Sequence, residues 1–156
     1  MRIAVMGAGG IGGYYGGKLA QAGNEVALIT RGEHLRAIQA NGLKLTGPAG
    51  DDHVRGIQAT DDPSGLAPVD VVLFCVKLFD TEEAARAVKP LLAKGGVCVS
   101  LQNGVDGADR IAAGIGAPAT RAYVLAMRAS AHFLLGRMSA VIEPSSTTSQ
   151  NSRISV

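Results

Sequence analysis

The chain has 156 residues, 47% of them hydrophobic, and a formal net charge of +2, enough to bury one core and too few for two domains of ordinary size. Its 15 basic and 13 acidic residues are spread along the sequence, so it lacks the charge block of a nucleic-acid or membrane-surface binder, and a small molecule is the expected partner. The apolar N-terminus is interrupted by paired glycines and tyrosines and by Lys18, which fits neither a signal peptide nor a membrane span; the cytoplasm is the expected compartment.

In chain order, Ile3 to Met6 and then "EVALI" (25–29) read as two short strands. The stretch between them suits a helix closed by Gly23, which makes a βαβ unit of about thirty residues. "EHLRAIQANG" reads as a helix stopping near Gly42, and "LKLTG" with "DDHVRGIQAT" as a pair of short strands joined through Pro48 and Gly50. "VDVVLFCVK" is apolar almost without interruption, as a strand buried on both faces must be. "TEEAARAVKPLL" follows as a helix with a capping box from Asp80 or Thr81 to Glu83, and "GGVCVSLQ" as the next buried strand. No internal repeat is visible. The alternation to about residue 114 predicts an α/β fold: a doubly wound, Rossmann-type, mostly parallel sheet. A single domain over residues 1–143 is expected, with 144–156, rich in Ser and Thr, as a poorly ordered tail or truncated end.

The chemistry concentrates at the first strand-to-helix junction. Gly7-Ala8-Gly9-Gly10-Ile11-Gly12 is a G-x-G-x-x-G placed where a strand ends and a helix begins, the context that gives this motif its meaning. Gly7 allows the sharp turn, Gly9 lets the backbone approach a pyrophosphate, and Gly12 lets the helix lie close on the strand. The helix then offers unpaired N–H groups and the positive end of its dipole to the phosphates. Gly13, Gly16 and Gly17 lie further along, where a glycine costs about 1 kcal/mol relative to alanine; a close approach of the helix to the sheet or to the cofactor must offset this. About twenty residues past the motif, an NAD-binding protein carries an acid for the ribose 2′-hydroxyl. Here stand Thr30-Arg31-Gly32. A guanidinium matches a 2′-phosphate in charge and geometry, so Arg31 favours NADP(H), with Glu33 as the competing reading unless it belongs to the first turn of the next helix.

Lys77 and Asn103 each follow a buried apolar run, the place where open α/β sheets bind ligands. Lys77 reads as a contact to the cofactor or to a substrate carboxylate, or equally as a solvated strand end. The Asn103 amide suits cofactor or substrate, although Asn103-Gly104 is also a plain turn dipeptide. Cys75 and Cys98 sit inside apolar runs and read as core residues, without a second ligand at metal or disulfide spacing. His34, His53 and His132 lack motif partners and read as surface or helix-face residues; Tyr14 and Tyr15 read as packing residues, one of them near the cofactor.

The segments "GAGGIGGYYGGKLAQAGNEVALITRGEHLRAIQANGLKL", "DVVLFCVKLFDT" and "VSLQNGVDGADRI" together resemble the N-terminal domain of the 2-dehydropantoate 2-reductase, or ketopantoate reductase, family over residues 1 to about 115. The resemblance implies a Rossmann domain followed by a helical domain, and NADPH-dependent reduction of 2-dehydropantoate to pantoate on the route to pantothenate and coenzyme A. It also implies site residues. Gly7, Ala8, Gly9, Gly10, Ile11, Gly12 and Arg31 would hold the cofactor, and Lys77 and Asn103 would serve both cofactor binding and catalysis. Past residue 115 the likeness fades, and the helical domain, which in the family supplies the proton donor and a substrate-binding glutamate, has no counterpart. The expectation is therefore a cofactor-binding part that binds without appreciable turnover and, with an apolar face left bare, is a candidate for self-association as a homo-oligomer. The alternative is a stand-alone dinucleotide-binding or sensor module.

Overall fold

Short runs, the central ones apolar on both faces, become the strands of a six-stranded sheet in the computed structural model, which describes residues 1–46, 50–103, 106–116 and 122–124. The elements are β1 (Arg2–Met6), α1 (Gly10–Gln21), β2 (Glu25–Ile29), α2 (Gly32–Asn41), β3 (Leu43–Leu45), β4 (Asp52–Val54), β5 (Gln58–Thr60), β6 (Val69–Phe74), α3 (Thr81–Val88), β7 (Leu92–Ser100), α4 (Gly107–Ile115) and β8 (Ala122–Val124). The main sheet runs β5-β2-β1-β6-β7-β8, and every pairing in it is parallel. This is the doubly wound order of a Rossmann fold, as the sequence predicts.

Side chains alternate between the two faces of each strand, so the sheet feeds two cores. Ile3, Val5, Val26, Leu28, Val71 and Leu73 meet Leu19 of α1, Ile38 of α2 and the leucines of β3 on one face. Ala4, Ile29, Val72, Phe74 and Cys98 meet Ala84, Ala85 and Val88 of α3 and Ile111 and Ile115 of α4 on the other. Burial of both faces is why β6 reads as an unbroken apolar run. Across the second face, α3 and α4 are joined at their surface by Arg110, whose Nε and Nη2 donate to the two carboxylate oxygens of Glu82 at 2.6 and 2.9 Å.

The glycines of α1 are spent on close packing. A Cβ on Gly12 would stand 2.1 Å from the Gly7 carbonyl oxygen, and one on Gly16 would stand 2.8 Å from Leu28 Cδ2. Gly17 turns elsewhere, toward Leu45 and Leu43 at 2.9 and 3.0 Å. One glycine stripe thus lets α1 press on the main sheet and the other admits the β3–β4 hairpin; the approach that offsets their helix-forming cost is to sheet and hairpin. Lys18 of α1 also forms an ion pair with Asp52 of β4, and this hydrogen bond holds the Asp52 carboxyl below its ordinary range.

Three sequence expectations need correction. The run 52–60 is not one strand: β4 pairs antiparallel with β3 in a separate two-stranded sheet, whereas β5 adds to the main sheet beside β2. Gly56, at φ +69°, breaks the run. The expected capping box does not form. Asp80 caps α3 without a side-chain hydrogen bond, and Thr81 Oγ1 donates instead to the Leu78 carbonyl at 2.8 Å. That helix also ends at Val88, because Pro90 lies in a short 3-10 turn, Lys89–Leu91. The expected tail, 144–156, lies outside the described residues.

Gly12→Ala is expected to destabilise the fold by about 1–3 kcal/mol through overpacking against backbone. Gly10→Ala, where a Cβ meets nothing within 4 Å, should stay within about 0.5 kcal/mol of the parent. Urea denaturation of the two variants checks this; equal losses would contradict the packing described.

Candidate functional site

Between β1 and β6 the strand order reverses, and the crevice outside their carboxyl ends is where a doubly wound sheet binds ligands. The backbone is held up to the lip of that crevice. The Gly7 amide donates to the Ile29 carbonyl at 3.0 Å and the Cys75 amide to the Met6 carbonyl at 2.8 Å, so each loop leaves its strand in a fixed direction. The cleft itself measures about 600 Å³. Its walls are the glycine loop from Gly7 to Ile11, the end of β2 at Ile29 to Arg31, and the end of β6 at Cys75 to Lys77. Phe79, Asp80 and Glu83 close one side, and Asp61 and Pro63 lie beyond β5.

Each motif glycine has a distinct task. Gly7 turns at φ +96°, and a Cβ there would meet the Val76 amide nitrogen at 2.9 Å. Around Gly9 a Cβ would meet nothing within 4 Å, so the missing side chain leaves room on the cleft side. Gly9 caps α1 without a side-chain hydrogen bond, and the first turn of the helix holds no acid. The N–H groups and the dipole there are uncompensated, which suits an anion. These residues fit a dinucleotide pyrophosphate.

Arg31 caps α2 in extended backbone, φ −138° and ψ 169°, lines the cleft, and among the described residues makes no ion pair. Glu33 sits in the first turn of α2 and faces Arg36 at 3.8 Å, so of the two candidates for the ribose end, Arg31 is the one in the cleft. Lys77 lies in the cleft wall, with Nζ 5.9 Å from the ring centre of Phe79, an aromatic left 75% exposed.

Asn103 is exposed, three residues past the end of β7, and does not line the cleft. Its neighbour Gln102 reaches back instead. Gln102 Nε2 donates to the Val76 carbonyl and to Thr81 Oγ1, both at 2.9 Å, tying the β7 exit to the turn that carries Lys77. A second clamp lies at the glycine loop, where His34 Nε2 meets the Ala8 carbonyl at 2.8 Å. Sequence reasoning assigned neither residue a role. Both act on backbone atoms distant in sequence, which no motif spacing reports. His53 bonds the carbonyl of Asn41, the last residue of α2, and His132 lies outside the described residues. Tyr15 packs against the core, while Tyr14 stands edge-on to it at 5.5 Å and 45% exposed.

Cys98 is buried and Cys75 partly so, both unpaired. Burial pushes each thiol up to about 12, so neither supplies a thiolate near neutrality.

The ketopantoate reductase PanE/ApbA family matches residues 3–134. The chain belongs to this family. Its ketopantoate reductase relatives include the 2-dehydropantoate 2-reductase of Mesorhizobium japonicum, 39% identical over 106 residues, which are 67% of this chain and 32% of that protein. The crystal structure of a PanE/ApbA family ketopantoate reductase from Ralstonia eutropha superposes with a TM-score of 0.72 at 47% identity, covering 80% of this chain and 40% of its own. D-mandelate dehydrogenase, in a ternary structure with NADH and anilino(oxo)acetate, superposes at 0.69 and 26% identity, again over 80% and 40%. The chain thus spans a third to two-fifths of the length of these relatives. Family and fold agree on the Rossmann-type N-terminal part of a ketopantoate reductase family protein.

Because both thiols are held protonated, a thiol-alkylating reagent at pH 8 is expected to label Cys75 and Cys98 slowly in the native protein and rapidly after denaturation. Mass spectrometry of the labelled chain checks this. Prompt native labelling of Cys75 would contradict the raised thiol described for it.

Proposed function

We propose that the cleft binds NADP(H), and that the chain is the cofactor-binding part of an NADPH-dependent reductase whose substrate is 2-dehydropantoate, reduced to pantoate on the route to pantothenate and coenzyme A. The observation that carries the NADP(H) reading is Arg31. It caps α2 two residues past β2 and lines the cleft without a carboxylate partner among the described residues, where a fork of N–H donors suits a phosphate and cannot accept from a hydroxyl. D-mandelate dehydrogenase, which shares the fold, carries NADH in its structure.

When bound, the reduced nicotinamide supplies hydride. The chain's own residues bind and orient. The amides of the glycine loop and the α1 dipole would hold the pyrophosphate, and Arg31 the 2′-phosphate. Lys77 places a cation at the lip, where it would draw the keto acid's carboxylate or stabilise negative charge growing on the ketone oxygen. Asn103, exposed past the end of β7 and outside the cleft lining, would hold a part of cofactor or substrate that extends beyond the cleft, through its paired donor and acceptor. The anilino(oxo)acetate bound by D-mandelate dehydrogenase is itself a 2-oxo acid anion, which supports that substrate class. No helix among the described residues is long and apolar enough to cross a membrane, and two unpaired thiols suit the reducing cytoplasm, where we place the protein.

Arg31→Ala is expected to weaken NADPH by about 1.5–3 kcal/mol, the worth of a charge-assisted hydrogen bond, and NADH far less; fluorescence titration of each cofactor measures both. Equal losses would overturn the assignment of Arg31. From residues 1–156 we expect NADPH binding with turnover of 2-dehydropantoate lower by about 10²–10⁴-fold than with a positioned general acid. Steady-state NADPH oxidation at ordinary rates by this chain would contradict that. In a full-length relative, replacing the residues that match Lys77 and Asn103 with Ala should lower kcat/KM with the fold intact, and unchanged turnover in both would remove them from the site.

A further inference from the structure

The bond between His34 and Ala8 lies at the one loop whose backbone direction decides whether an anion meets N–H or C=O. His34 stands in the first turn of α2, beside Arg31, and its Nε2 is 2.8 Å from the carbonyl oxygen of Ala8. A carbonyl oxygen only accepts. The ring nitrogen is therefore the donor, and in the neutral imidazole the hydrogen sits on Nε2. In a trans peptide the C=O and the following N–H point in opposite directions. Holding the Ala8 carbonyl on His34 thus turns the Gly9 N–H the other way.

Two other groups of the loop are already engaged. The Gly7 amide donates to Ile29, and the Gly9 carbonyl accepts from the Gly13 amide at 2.7 Å. Among the described residues the Gly9 amide has no acceptor, and Gly9 lines the cleft with nothing within 4 Å of its absent Cβ. The Ala8–Gly9 peptide plane follows Gly7 at φ +96°, in a stretch whose glycines allow it to turn over. A flipped plane would present the carbonyl oxygen to the space where the amide should stand, repelling an anion. The side chain that holds the Ala8 carbonyl against such a flip comes from another element, α2.

We propose that His34 is a positioning residue for dinucleotide binding: by donating from Nε2 to the Ala8 carbonyl it fixes the Ala8–Gly9 peptide with its N–H available to the phosphates, and it ties the pyrophosphate loop to the turn that carries Arg31. The inference rests on the reading of the cleft as a dinucleotide site. It separates His34 from Arg31 by its signature. Arg31 distinguishes cofactors by their 2′ group, whereas the pyrophosphate is common to both, so loss of His34 must weaken NADPH and NADH alike.

The test compares His34→Leu, which removes the donor, with His34→Gln, whose side-chain amide carries an N–H at similar reach. Fluorescence titration of the parent with NADPH comes first; a parent that binds neither dinucleotide overturns the cleft reading and this inference with it. Given parent binding, His34→Leu is expected to bind both cofactors about three- to tenfold more weakly, as fits one lost hydrogen bond, and His34→Gln to recover most of that loss. Should His34→Leu fail to fold by circular dichroism, His34→Ala carries the same expectation. Nitrogen-15 NMR of the cofactor-free parent should show the Nε2–H tautomer. Parent-like binding by His34→Leu, a loss confined to NADPH, or a glutamine variant no better than leucine would overturn the proposal.

Discussion

The site depends on how closely α1 can lie on β1. A single carbon at Gly12 would come within 2.1 Å of the Gly7 carbonyl, so the helix approaches the strand only because the contact is made backbone to backbone. That approach sets the turn between them at its shortest and brings the free end of a twelve-residue helix to the carboxyl edge of the sheet. The parallel order of the sheet then adds the ends of β2 and β6 on either side. The cleft follows from these packings. Its chemistry is that of whatever stands where strands β2 and β6 stop, namely Arg31 and Lys77.

The loops of the cleft are held from outside themselves, which gives the site its rigidity. Gln102 comes from beyond β7 to take the Val76 carbonyl, and His34 comes from α2 to take that of Ala8. Each clamp crosses from one βα unit to another. A ligand meeting such a site pays little to order it, because the backbone groups it uses are already directed by the fold.

Most of the frame was legible in the sequence because burial on both faces and a glycine motif are strong, local signals. The βαβ unit, β6 and the parallel sheet needed only the length and apolarity of their runs, and Arg31 needed only its distance from the motif. What escaped was non-local. The run 52–60 carries no sign that Val54 and Ala59 belong to different sheets, since both halves are equally short and mixed. The capping-box pattern at residues 80–83 was present, but Thr81 is buried and spends its hydroxyl on Leu78 and Gln102. His34 has no motif partner because its partner is a main-chain carbonyl 26 residues away. Strand order and the family resemblance both point to Asn103, and they find the correct edge of the sheet but not whether a side chain lies within the cleft.

The central claim is that a dinucleotide occupies the switch-point cleft along the line from the glycine loop to Arg31. Titrating nitrogen-15-labelled chain with NADPH and following its amide resonances tests this most directly. The expected shifts concentrate at residues 7–12, at Thr30 to Gly32 and at Val76 and Lys77, while the β3–β4 hairpin behind α1 stays unmoved. Saturable binding with its shifts clustered on the hairpin or on α3 and α4, or no binding at millimolar NADPH by a folded chain, would contradict the account.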